Sequence, residues 1–199
     1  MSTKDRILDT AERHFAENGY AGTSLRQVIA DAEVNLAAVH YHFGSKEELL
    51  DAVVARRAEV VNADRFARLE AAQAVAGGKP LPVETILEAL LRPIVAVATA
   101  DEQFVRFIGR IHSEGLLPHI VKKHFHHVML RFMAALREAV PHLTEQEFLW
   151  RVHFVKGALS QTMCSPPEGL QAVGPSIGFD ERIDRLKRFL SAGLRAPGE

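Results

Sequence analysis

The chain has 199 residues, of which 47% are hydrophobic and 25% are charged, and its formal net charge is −1. This composition is typical of a globular protein with a hydrophobic core and argues against a disordered chain, and we find no apolar run near the roughly 20 residues that span a bilayer. The first residues lack the apolar stretch of a secretion signal, and the single cysteine, Cys164, cannot form an intramolecular disulfide, so we expect a cytoplasmic protein without membrane contact.

Helical periodicity runs through almost the whole chain and predicts an all-α fold. Thr3 can cap the first helix, and either Thr23 or Ser24 can cap a second, short helix. Asn35 is the expected cap of a third helix, which ends at Gly44.

A capping box at residues 45–48 predicts the start of a long helix that runs towards Ala74. The glycines and prolines of residues 76–82 break it. Later helices are expected at about 83–99, 102–113, 118–139 and 144–163, followed by a loop over 165–178 and an amphipathic last helix.

The second and third predicted helices have the size and spacing of a helix-turn-helix, in which the later helix enters the major groove of DNA. Its outward side chains include Leu36, Ala37, His40 and Tyr41. The small residues Ala37 and Ala38 allow close approach to base edges, and Ala37 can pack on a thymine methyl group. We expect phosphates at the starts of three helices, where the candidate ligands are Thr23, Ser24, Asn35 and Lys46.

Charge argues against this interpretation. Residues 1–50 contain five Lys and Arg but eight Asp and Glu, whereas neutralising phosphates supplies much of the affinity of DNA-binding proteins. Neutral donors and helix N-termini answer the objection in part, because they also hold phosphates.

The order of residues from Gly19 to Leu49 resembles the signature of the TetR family of transcriptional regulators, and the resemblance extends over about residues 4–50. It implies a dimer whose two recognition helices lie about one turn of DNA apart. It also implies that Tyr41, His42 and Lys46 hold the DNA backbone, and that the groove-facing positions are Asn35, Ala37, Ala38 and His40.

Two residues depart from the family pattern. Glu33 stands where the turn usually has glycine, and a left-handed conformation there costs about 1 kcal/mol more for glutamate. His40 replaces the usual aromatic residue, which can alter base preference or make binding sensitive to pH.

Large apolar residues recur at helical spacing in the second half of the chain, and they fit either a solid core or a ligand cavity. The flexible methionines suit an adaptable, long apolar ligand. The candidate ligand-binding residues are Phe104, Phe107, Ile108, Ile111, Phe125, Met129, Phe132, Met133 and Met163.

A helix around residues 150–159 combines aromatic and small residues and, with the last helix, can form a four-helix interface between two copies, although internal packing also explains it. The candidate interface residues are Trp150, Phe154, Gly157, Ala158, Leu186 and Phe189. Residues 34–39 and 147–154 resemble a fatty-acid-responsive branch of the family, which suggests a fatty acid or acyl-CoA effector. Arg106, Arg110 or Arg151 can meet its carboxylate or phosphate.

Other chemistry has weaker support. His124 and His127 share a helix face that can present both to a metal, but no further ligand completes a set. Cys164 follows His153 in the sequence without a nucleophile signature. We therefore expect no catalysis, no cofactor and no metal.

The resulting prediction is a regulator with a DNA-binding part at residues 1–46 and a ligand-binding and dimerisation part at 47–199. Its partners are double-stranded operator DNA, a small apolar effector and a second copy. Effector entry shifts the long helix that begins at Lys46, and DNA and effector therefore oppose each other. We predict a repressor that the effector releases from its operator, with activation as an open alternative. The rivals are a three-helix bundle that does not bind DNA and a helical carrier or enzyme for apolar ligands.

Overall fold

The computed structural model describes residues 2–113, 118–164, 174–175 and 177–198. Within these residues the chain is helical without strands, which confirms the all-α prediction. The helices are α1 (Thr3–Gly22), α2 (Leu25–Asp31), α3 (Leu36–Phe43), α4 (Lys46–Ala76), α5 (Val83–Ala100), α6 (Glu102–Ser113), α7 (Pro118–Ala139), α8 (Glu145–Met163) and α9 (Phe179–Arg195).

The helix bounds follow the capping signals with two corrections. Ser2, not Thr3, caps α1, because its hydroxyl accepts from the Asp5 amide and the Asp5 side chain accepts in return. At the start of α4, Ser45 accepts from the Glu48 amide, but the reciprocal bond of a capping box is not formed. Most of the predicted loop over 165–178 lies outside the described residues.

The N-terminal bundle is built around side chains with no exposed surface. Ile7, Phe15, Val28 and Val39 come from its three helices, of which α1 and α3 also pack on α4. Burial of each such side chain contributes about 1.5–3 kcal/mol relative to exposure. The bundle therefore holds α2 and α3 at a fixed angle and is continuous with the long helix.

Aromatic stacking and ion pairs join α1 to α6 and α4. The Phe15 ring stacks on Phe107 of α6 with ring centres 6.0 Å apart. The buried Glu12 carboxylate accepts from Arg57 Nε at 2.7 Å and from Arg56 Nη2 at 2.6 Å, both on α4. α1 is thus packed against both α4 and α6.

α6 and α8 cross closely at Gly109. A Cβ atom at this position would lie 2.7 Å from the Met163 Cβ and 3.0 Å from the Ser160 carbonyl oxygen. Any side chain would have to push the two helices apart, so glycine is required here by close approach.

None of the helices in the described residues is both long and apolar enough to cross a membrane.

Candidate nucleic-acid interface and effector cavity

α3 stands with one face open to solvent. Tyr41 is 86% exposed, Leu36 is 54% exposed, and Ala37 and His42 are also exposed. Val39 and Phe43 anchor the opposite face in the bundle. The helix is therefore a supported rod of two turns whose outer side chains lack contacts that would bury them.

The predicted groove residues keep donors and acceptors on this face. Asn35 uses its side-chain oxygen to accept from the Ala38 amide at 2.8 Å, as an N-cap does. His40 Nδ1 lies 2.9 Å from the Gly44 carbonyl oxygen, to which it donates, and this leaves Nε2 as an acceptor in the neutral ring. Ala38 is half-buried, so its contribution is mainly close packing.

Thr23 is a correction to the predicted phosphate ligands. Its side chain is 2% exposed, and its hydroxyl lies 2.9 Å from the carbonyl oxygens of both His14 and Gly19. The hydroxyl therefore fastens the end of α1 and is not available to DNA. Ser24 caps α2 instead: its hydroxyl accepts from the Gln27 amide and stays exposed.

Lys46 lies at the N-terminus of α4, with its Nζ 4.3 Å from the centre of the Tyr20 ring. Its side chain is half-buried, and burial lowers the pKa of its amine. The contact with Tyr20 places the cation beside the first turn of α4, where helix amides also favour an anion.

The turn between α2 and α3 is strained at Glu33. Its φ is +51°, a left-handed value that no other described non-glycine residue has. This confirms the conformation on which the sequence argument depended. The Glu33 carbonyl oxygen accepts from Arg6 Nη2 at 2.9 Å, so α1 helps to hold the turn in place.

We predict that Glu33→Gly raises the free energy of unfolding by about 1 kcal/mol, because glycine adopts positive φ without a steric penalty. Urea unfolding followed by circular dichroism measures the change. Glu33→Gln is the matched control, since it removes the charge and keeps the strain. Equal stabilisation by both variants would show that charge, not backbone conformation, is responsible.

A cavity of about 110 Å³ lies between α4, α5, α6, α7 and α8. Five predicted ligand residues line it: Phe104, Ile108, Phe125, Met129 and Met163. Sequence reasoning missed two basic residues of α4 in its wall, Arg57 and Arg65, because both resemble ordinary charges on a long amphipathic helix.

The other predicted ligand residues do not line the cavity: Phe107, Ile111, Phe132 and Met133. On α6, Phe104 and Ile108 share one face, while Phe107 and Ile111 share the neighbouring face. Phe107 consequently packs on Phe15 of α1. Phe132 is fully buried and Met133 packs against the core.

The three arginines suggested for an anionic effector have other positions. Arg151 donates to Glu147 and to carbonyl groups at the end of α9, and Arg106 pairs with Glu102. Arg110 is exposed on α6. None of the three is among the described residues that line the cavity.

The outer faces of α8 and α9 expose aromatic rings. Trp150 and Phe154 stack with centres 5.9 Å apart, Phe154 is 60% exposed, and Phe189 of α9 is 71% exposed. A Cβ atom on Gly157 would meet nothing within 4 Å. We call these four residues the α8–α9 face.

Two predicted interface residues do not belong to it. Leu186 is buried, since it points towards the hydrophobic core of the chain. Ala158 is half-buried and packs against the same core. The interface prediction is therefore wrong for Leu186, and Ala158 stands only at the edge of the face.

The histidine pair of α7 is engaged elsewhere. His124 Nε2 lies 2.7 Å from a carboxylate oxygen of Asp51, and the His127 ring packs on Phe66. Burial raises the pKa of Asp51, but hydrogen bonds from Lys123 and His124 outweigh it, and the net shift is downward. Among the described residues no three His, Cys, Asp or Glu side chains form a group that could hold a metal.

Two family models match the chain. Residues 7–53 match the model described as bacterial regulatory proteins, tetR family, and residues 88–193 match the model described as tetracyclin repressor-like, C-terminal domain. The second match covers more than half of the chain.

Curated relatives are similar in the N-terminal part. The protein named Probable HTH-type transcriptional regulator YttP, from Bacillus subtilis, is 39% identical over 54 residues, which are 27% of this chain and 26% of that protein. The biofilm operon icaADBC HTH-type negative transcriptional regulator IcaR of Staphylococcus epidermidis is 39% identical over 46 residues, which are 23% of this chain and 25% of that protein. The match thus spans about a quarter of the length of these relatives.

Solved structures share the fold over nearly the whole chain. The fatty acid degradation regulator FadR from Bacillus halodurans aligns with a TM-score of 0.65 and 15% identity, covering 98% of this chain and 97% of that one. A TetR-like transcriptional regulator from Rhodococcus sp. RHA1 aligns with a TM-score of 0.63 and 20% identity, covering 96% and 95%.

Proposed function

This chain belongs to the TetR family of bacterial transcriptional regulators, and we propose that it is a repressor that a small apolar effector releases from operator DNA. The observation that carries the proposal is the solvent-facing side of α3, with Tyr41 fully outward at the tip of a capped and supported helix. IcaR, a negative regulator by name, supports repression as the polarity. The family consists of regulatory proteins, not enzymes.

DNA binding would place α3 in the major groove. Leu36, Ala37, Ala38 and His40 would meet base edges, with the Asn35 cap at the start of the helix. Ser24, Tyr41, His42 and Lys46 would hold phosphates on either side.

Binding to two half-sites requires a second copy, and the α8–α9 face supplies a surface for it. Exposed aromatic side chains with a glycine between them are typical of a close helix interface. A two-fold arrangement would pair this face with itself and carry two α3 helices on one side.

The cavity supports an effector site inside the helices that follow α4. Ligand sites usually measure about 300–1,000 Å³, so the cavity of about 110 Å³ corresponds to a closed form that must widen. Met129 and Met163 in its wall can change rotamer to make room. FadR supports a fatty acid as the effector class.

Coupling would run through α4, whose residues 54–65 line the cavity and whose first turn meets the N-terminal bundle. Arg57 contacts both the cavity and the N-terminal bundle, because it lines the cavity and its Nε donates to the Glu12 carboxylate of α1. The DNA-binding part, residues 1–46, and the effector-binding part, residues 47–199, would thus be coupled through α4.

A gel shift with the DNA upstream of the chain's own coding region tests the proposal. We expect specific binding in low salt and release by an apolar effector. Absence of specific binding, with and without added lipids, would contradict the repressor and favour a helical carrier of apolar molecules.

We predict that Tyr41→Ala lowers affinity for operator and for unrelated DNA by a similar factor of about ten, because the phenol would contact phosphate and not bases. Fluorescence anisotropy with labelled duplexes measures both affinities. The melting temperature should stay unchanged, since the ring is exposed.

Ala37→Ser is the matched comparison on the same helix. It should change the ratio between operator and unrelated DNA, because residue 37 would face base edges. Unchanged affinity in Tyr41→Ala would remove Tyr41 from the interface.

A further inference from the structure

Arg65 of α4 is a buried cation in the cavity wall. The whole residue is 6% exposed. Its Nε donates to the Leu90 carbonyl oxygen at 2.9 Å, and its Nη1 donates to Asn62 Oδ1 at 3.1 Å. In the part of the chain that the structure describes, Nη2 has no acceptor and no carboxylate pairs with the guanidinium. Among the described residues, the guanidinium therefore has two neutral oxygens as its hydrogen-bond acceptors.

Such a charge is unfavourable in an apolar interior unless an opposite charge joins it. Burial lowers the pKa of Arg65 to about 10, so the side chain remains a cation at neutral pH. The cavity wall thus keeps a charge that an entering anion would neutralise.

The rest of the cavity wall restricts the kind of anion. The charged residues among the described lining are all basic, namely Arg57, Arg65 and Lys156. Arg57 already binds Glu12, and Lys156 is exposed at the surface. The remaining lining is nearly all apolar, which suits a hydrocarbon body attached to one small charged group.

Arg65 also has a structural task that does not account for its charge. The Leu90 carbonyl belongs to α5, so the bond from Arg65 Nε ties α4 to α5. Of the three guanidinium nitrogens, Nε is the one that donates to this carbonyl, and a neutral donor could make the same hydrogen bond. Nη2 and the net charge stay unexplained by packing.

We propose that the effector of this regulator is an apolar molecule with a free carboxylate, and that Arg65 binds this carboxylate inside the cavity. The inference rests on the proposed effector site and names its ligand class. A free carboxylate can approach a buried guanidinium in two parallel hydrogen bonds. An acyl-CoA thioester offers only a neutral carbonyl at that depth, so the free acid is the favoured form.

Isothermal titration of the full chain with octanoate and with octan-1-ol tests the head group directly. Both molecules carry a chain of eight carbons and require a similar widening of the cavity, and they differ in the head group, an anionic carboxylate in one and a neutral hydroxyl in the other. We expect octanoate to bind at least about tenfold more tightly, which is the range of a charge-assisted hydrogen bond. Equal affinities, or no measurable binding of octanoate, would overturn the proposal.

Two variants locate the preference. Arg65→Met should abolish the preference for octanoate while retaining binding of octan-1-ol, and Arg65→Lys should retain part of it, because the charge remains. Arg68→Met, which removes an exposed arginine one turn away on α4, is the control and should behave as the unchanged protein. If Arg65→Met does not fold, the Arg65→Lys variant and the comparison of octanoate with octan-1-ol on the unchanged protein still test whether Arg65 binds a carboxylate.

Operator binding separates this inference from the proposed function. A chain that binds its operator but does not distinguish octanoate from octan-1-ol has lost only the carboxylate proposal. A chain that prefers octanoate and ignores DNA retains the carboxylate site and contradicts the repressor.

Discussion

Replacing Phe154 by glutamate should turn the protein into a folded monomer and lower its operator affinity by about 10²–10⁴-fold. The Phe154 ring is mostly exposed, lies against Trp150 and is close to the open side of Gly157. In a two-fold interface, a carboxylate at this position would be buried twice, once from each subunit, without a partner. Each monomer would then bind a half-site alone and lose the effective concentration that the second recognition helix supplies.

Sedimentation velocity measures the loss of the dimer, and anisotropy with the operator duplex measures the loss of affinity. Val75→Glu is the matched control, because Val75 is an exposed apolar residue far along α4 and outside the α8–α9 face. The control should remain dimeric. A dimeric Phe154→Glu variant would assign the interface to another surface.

Replacing Phe15 by alanine should lower the free energy of unfolding by about 3–5 kcal/mol. The Phe15 ring has no exposed surface, and it stacks on both Tyr20 and Phe107 with ring centres 6.1 and 6.0 Å away. Its loss would leave a cavity at the junction between the N-terminal bundle and α6. For a chain of this length the change corresponds to a drop in melting temperature of roughly 6–20 °C.

Urea unfolding monitored by circular dichroism gives the free energy directly. Val60→Ala removes an exposed apolar side chain from α4 and should change stability by less than about 0.5 kcal/mol. A loss below about 1 kcal/mol for Phe15→Ala would mean that the junction collapses onto the space and is not rigid.

The fold was predictable from local signals. Asn35, Gly44 and the break before Val83 fix helix ends through hydrogen bonds and backbone conformations that depend on neighbours a few residues away. Correct bounds for α6 and α7 followed from the same periodicity. The cap of α1 moved from Thr3 to Ser2, because both residues have a hydroxyl that can accept from the first turn, and the predicted capping box at Ser45 forms only one of its two bonds.

The sites were predictable only in part, because periodicity marks a buried face without saying which neighbour covers it. Phe104 and Phe107 are three residues apart, yet one lines the cavity and the other packs on α1. Leu186 and Phe189 show the same ambiguity on α9, where the first points inward and the second outward. Arg65 required tertiary structure, since its sequence neighbourhood does not show that carboxylates are absent around it.

The tight crossing at Gly109 has a consequence for how such a protein would signal. Because no side chain separates them at Gly109, α6 and α8 have little freedom to slide past each other and are expected to move as one rigid unit. One surface of this unit borders the cavity, and Phe107 of α6 stacks on Phe15 of the N-terminal bundle. Widening of the cavity would tilt α6 and α8 together. In a symmetric dimer the tilts of the two copies would add. A displacement of a fraction of an ångström in each copy would then change the distance between the two α3 helices, so that they no longer match the pitch of the double helix.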